Sequence, residues 1–115
     1  MRPGKLVLAL LATGAVAAGT AFAATPSLTV SPSRVHQGGK VTFTGSGWAH
    51  KVKVTLLLGK PGTAANPFAS VTTNGRGRFS YTLPIKPTAP TGRYVIHACR
   101  KSCATDVKRN MTIVP

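Results

Sequence analysis

The sequence predicts an all-β protein, seven short strands in two packed antiparallel sheets, preceded by a leader helix that is removed. Three observations carry this reading. Beyond residue 23, apolar residues recur with a period of two in seven separate runs, the spacing of a half-buried strand. Clusters of Gly, Pro and Asn fall between the runs. No window beyond the leader shows the 3.6-residue period of an amphipathic helix.

The leader comes first. Arg2 and Lys5 form a basic start, an apolar run follows from Leu6 to about Ala18, and Ala21-Phe22-Ala23 supplies small residues on either side of a larger one. That order is the pattern of a secretory signal peptide, residues 1–23, cut after Ala23. An uncleaved anchor is the alternative, since the apolar run is almost long enough to span a bilayer. Thr13, Gly14, Gly19 and Thr20 dilute it. The expected product is one small domain, residues 24–115, released outside the cell or loosely associated with its wall, with no membrane span in the mature form.

Each run then places its side chains by alternation. Strand A (28–30) turns Leu28 and Val30 inward. Strand B (40–45) turns Val41 and Phe43 inward and Lys40, Thr42 and Thr44 outward. Strand C (51–58) buries Val52, Val54, Leu56 and Leu58 and exposes Lys51, Lys53 and Thr55. Strand D (68–73) is short. Strand E (77–83) buries Phe79, Tyr81 and Leu83, strand F (93–99) buries Tyr94, Ile96 and Ala98, and strand G (105–114) buries Met111 and Ile113. "HQGGK", "GKPGTAANP", "NGRG" and "KPTAPTG" separate them, and Asn74-Gly75 is expected to supply the positive φ angles of a tight hairpin turn. Seven such runs suit an immunoglobulin-like sandwich; a small barrel is the structural alternative.

Several stretches carry a resemblance. "SPSRVHQGGKVTFTGSGWAHKVKVTLLL", "ASVTTNGRGRFSYTLP" and "PTGRYVIHAC" together resemble secreted bacterial Ig-like domains. The chain also looks like the apoproteins of neocarzinostatin-type chromoproteins, which share the fold and a short-loop disulfide near the end. Those apoproteins carry a second, earlier disulfide, whereas residues 51–68 here hold no cysteine. The first resemblance implies a structural or binding module, the second a small-ligand carrier. Tyr94 resembles the tyrosine-corner position of such domains.

Composition narrows the chemistry further. The chain has 15 Lys and Arg and a single acid, Asp106; Arg2 and Lys5 belong to the leader, which leaves 13 bases and a net charge of +12 for residues 24–115. Without glutamate there are no carboxylate pairs for acid–base work and no oxygen cage for calcium or magnesium. No nucleophile elbow and no Gly-rich phosphate loop appears. The expectation is a non-catalytic protein with no cofactor.

The most chemical stretch is "YVIHACRKSCATD". Cys99 ends strand F and Cys103 precedes strand G. A three-residue hairpin loop, Arg100-Lys101-Ser102, would face the two cysteines across the strands and close a disulfide, as export favours. A metal reading would recruit His97 beside the two cysteines, and a redox reading would use the pair as thiols. Pairing 99 with 103 sets 97 against 105 and 95 against 107, which would turn Met111 and Ile113 outward. A one-residue bulge, expected at Lys108-Arg109, would restore them.

The remaining candidates are surface groups. Lys51, Lys53 and Arg93 are expected together on the outer face of strands C, F and G, with Arg100 and Lys101 extending the patch and Lys108 and Arg109 joining from strand G. Lys60 and Lys86 fall in loops expected outside that face. Leu57 and Val95, outward on the same sheet, could seed a ligand cleft. Trp48 is either a lid on one end of the sandwich or a stacking platform for a sugar ring or base. Unopposed charge of this size raises encounter rates with polyanions. Anionic envelope polymers are therefore the expected partners, and the bases lack the interleaved aromatics of sequence-specific nucleic-acid recognition.

Overall fold

The computed structural model describes residues 25–115; the expected leader and its cleavage point lie outside the described residues. Eight strands form among the described residues: β1 (Ser27–Ser31), β2 (Arg34–His36), β3 (Lys40–Ser46), β4 (Lys53–Gly59), β5 (Asn66–Thr72), β6 (Phe79–Pro84), β7 (Gly92–Arg100) and β8 (Thr105–Val114). They make a three-stranded sheet, β1-β3-β6, and a five-stranded sheet, β2-β8-β7-β4-β5. All pairs are antiparallel except β2 with β8, which run parallel.

The core lies between the sheets and takes in the residues that alternation predicts, with Val35, Trp48 and Ile85 added from segments where no alternation shows. Leu28, Val41, Phe43, Val54, Leu56, Phe79, Tyr94, Ile96, Ala98, Met111 and Ile113 are buried, while Val30, Val52, Leu58, Tyr81 and Leu83 are partly buried against them. Phe68 of β5 packs on Phe43 and Tyr81, with ring centroids 5.6 and 6.1 Å apart. Such tilted aromatic pairs stabilise beyond their area. They tie the edge of the larger sheet to the smaller one.

Three expectations are corrected here. The seven strands become eight because Arg34–His36 adds a short strand whose Val35 is buried. Pro32, which has no N–H to donate, separates it from β1, so the chain leaves one sheet and joins the other. Secondly, Asn74-Gly75 is not a two-residue hairpin turn. β5 pairs with β4 and β6 with β3, so the segment crosses between sheets. Asn74 Oδ1 accepts from the backbone N–H groups of Arg76 (2.8 Å) and Arg78 (3.1 Å), and the positive φ falls at Gly77.

Thirdly, β8 carries no bulge. The β7–β8 ladder runs unbroken from Gly92↔Ile113 to Arg100↔Thr105, with Cys99 opposite Asp106. Cys103 therefore sits in the turn and not across from Cys99. Lys101, Ser102 and Cys103 all take left-handed φ values, 55°, 54° and 67°, and this curl brings Cys103 back to Cys99 with Cα atoms 4.4 Å apart. Met111 faces inward in this register because it pairs with Tyr94. The register shift lies instead between β4 and β5, at Leu56/Leu57.

Candidate functional site

The outer face of the five-stranded sheet is built of rows that the register defines. Thr55, Cys99 and Asp106 form one row; Leu57, His97 and Lys108 the next; Gly59, Val95 and Asn110 a third; Arg93, Thr112 and Arg34 a fourth. Asp106 accepts from His97, with Nδ1–Oδ1 3.1 Å and Nδ1–Oδ2 3.4 Å, and its Oδ1 lies 3.6 Å from Cys99 Sγ. Thus the single acid of the chain is held near the turn end of the face by a neighbour on the adjacent strand.

These rows split the expected basic patch. Extending the β4–β7 register places Lys53 level with residue 101, so Lys53 and Arg93 stand about eight residues, or about 26 Å, apart along the sheet. Lys53, Arg100 and Lys101 share one end, where they line a cavity of about 390 Å³ with Val52, Thr55 and Ser102. Lys51 precedes β4 at that end, exposed, with φ 53° and its N–H on Asn74 O at 3.3 Å. Arg93 occupies the other end beside Thr112, whose far neighbour is Arg34.

Lys108 stands in the middle, in a cleft of about 280 Å³ with Gly59, Lys60, Gly62, Thr63, Val95 and His97. Lys60 is thus on the face and not away from it. Its loop folds back so that Nζ donates to Thr91 O at 3.0 Å and sits 4.8 Å over the Tyr94 ring. Arg109 falls on the other side of β8, in line with Met111 and Ile113, yet is exposed; its Nη1 turns back to Lys108 O at 2.7 Å. Val95 lines the cleft and Leu57 does not. Sequence reasoning missed Arg34, whose strand is too short to show a period, and Lys60, whose loop gives no pattern to follow.

The cysteines form a disulfide, Cys99–Cys103. Among the described residues, His, Cys, Asp and Glu side chains form no group of three suited to a metal ion. Among the same residues, no helix is long and apolar enough to cross a membrane. Trp48 is the lid. The residue is only 4% exposed, its Nε1 donates to Ser27 O at 3.0 Å, and its ring packs on Phe79 with centroids 6.1 Å apart. A stacking platform needs an open ring face, which this tryptophan lacks. Tyr94 makes the corner that its position suggests, its hydroxyl donating to Pro90 O at 2.6 Å.

Two sheets, a tyrosine corner and a buried tryptophan define an immunoglobulin-like β domain. The chain belongs to the macroglobulin-like domain family, whose model matches residues 23–112. Among solved structures it is similar to macromomycin (14% identity, TM-score 0.61), covering 77% of this chain and 99% of that one. Weaker likenesses are to a superoxide reductase (neelaredoxin) from Ignicoccus hospitalis (14% identity, TM-score 0.49, 77% and 78% of the two chains) and a CARDB domain from Pyrococcus furiosus (16% identity, TM-score 0.46, 83% and 98%). No curated protein matches the sequence. At these identities the solved structures speak for the fold alone.

Proposed function

We propose that this is a secreted, non-catalytic binding module that associates with anionic polymers of the cell envelope or the extracellular space. One observation carries the reading. The chain has a single carboxylate side chain, and it is engaged by His97, so that among the described residues no Lys or Arg makes an ion pair with a side chain. Bases without acids repel one another, and their field attracts polyanions from a distance. Such a surface needs no deep pocket, in keeping with clefts that are open to solvent.

The test is retention of the purified protein on immobilised heparin and on a polyol-phosphate polymer at physiological salt. The expected result is retention on both, released by added salt. Passage through both columns at that salt overturns the reading.

A second reading, a small-ligand carrier, has one specific support: the cleft beside Lys60, Val95, His97 and Lys108. Its volume of about 280 Å³ lies just under the usual range of ligand pockets, and charged residues share its wall with Val95. The carrier predicts a bound small molecule in the native protein, visible in its intact mass and ultraviolet spectrum.

A further inference from the structure

We propose that the cavity at the β7–β8 turn is a discrete phosphate-binding site whose donors are held in place by the Cys99–Cys103 disulfide. This rests on the polyanion reading and narrows it to one place and one chemical group. The wall of the cavity consists of three cations, Lys53, Arg100 and Lys101, two hydroxyl residues, Thr55 and Ser102, and Val52. No carboxylate lines it. The one acid, Asp106, lies on β8 one residue from Thr105, the partner of Arg100, but it pairs with Cys99 on the opposite side of the strand from Arg100 and is engaged by His97.

That donor set fits a tetrahedral oxyanion. A guanidinium presents a planar fork that can hold two phosphate oxygens at once, while an ammonium adds a compact charge. Hydroxyls supply O–H donors without adding charge. Arg100 and Thr55 sit on neighbouring β-strands and are half-buried, so the sheet fixes their backbones. Lys101 and Ser102 belong to the turn, and its shape decides where they stand.

The turn itself is unusual. Three consecutive non-glycine residues, Lys101, Ser102 and Cys103, adopt left-handed backbone angles. Each costs about 1–2 kcal/mol relative to the right-handed form, so the run persists only where the surroundings impose it. The Cys99–Cys103 bond and the Ala104 N–H donated to Lys101 O at 3.1 Å are what impose it. Without the disulfide the run can relax, and Lys101 and Ser102 leave the wall.

The test is an NMR titration of the purified protein with inorganic pyrophosphate and, separately, a glycerol-phosphodiester oligomer. Amide shifts are expected to be confined to residues 52–55 and 100–103. R100Q/K101Q should weaken pyrophosphate binding at least tenfold, whereas K40Q/K86Q, which removes equal charge elsewhere, should change it less than twofold. Tighter binding of the oligomer assigns the group to a polymer, and tighter binding of pyrophosphate assigns it to a free phosphate; either supports the site. A folded C99A/C103A variant should lose most of the affinity, and full affinity there overturns the role given to the disulfide. Equal losses from the two charge-matched pairs, or shifts spread over every base, overturn the site while leaving the polymer reading intact. No binding of any anion, heparin included, overturns both.

Discussion

Thr73 shows how much a single side chain does in this fold. It is buried to 2% exposure just after β5, where its hydroxyl donates to Ala49 O at 2.7 Å and accepts from Val52 N–H at 2.9 Å. The Trp48 loop is thereby tied to the start of β4. Thr73→Val keeps the volume but leaves two backbone groups without partners, so unfolding by urea should show a loss of about 2 kcal/mol. Gly77 is the second such point. Its φ is +72° and a Cβ there would strike Trp48 O. Gly77→Ala should cost more than about 2 kcal/mol, adding the left-handed penalty to a backbone clash. Neither role could be read in the sequence. Thr73 is one threonine among many, and Asn74-Gly75 is a stronger turn signal than Gly77 because the capping by the Asn74 side chain is invisible until the chain is folded.

At the level of elements, the alternation of apolar residues revealed which segments are strands and which face is buried, because that information is local. Partners and register are not local. β5 could have paired with β6 or β4, and the choice falls to β4 through contacts far apart in the chain. The cysteine spacing pointed to the disulfide but to the wrong register, because it assumed an ordinary hairpin loop, whereas the turn curls left-handed. Cross-strand NMR contacts should therefore join Val95 with Asn110 and His97 with Lys108; contacts of Val95 with Val107 and His97 with Thr105 would restore the shifted pairing. Replacing both cysteines by alanine removes about 2 kcal/mol of loop-closure stabilisation but also lets the left-handed turn relax, so thermal or urea unfolding should show a loss smaller than that figure.

For the whole molecule the decisive property is charge, and its size is legible from composition alone. Its distribution is not. The bases divide into a cluster at the turn end of the sheet around Lys53, Arg100 and Lys101, a central cleft on the outer face with Lys60 and Lys108, and a far end with Arg34 and Arg93. Repulsion among these groups opposes folding and is screened by salt, so the melting temperature should rise between low and moderate ionic strength. A melting temperature that falls over this range would mean that attractive ion pairs, not repulsion, dominate.

The most direct test of the central claim is a salt titration of binding to single-stranded DNA, used as a plain polyanion. Log affinity should fall linearly with log salt, by about 0.7 for each phosphate contacted. Removing Lys53, Arg100 and Lys101 together should flatten the slope by about two units on the same basis. A wild-type affinity independent of salt, or no binding at physiological salt, would contradict a charge-driven binding module.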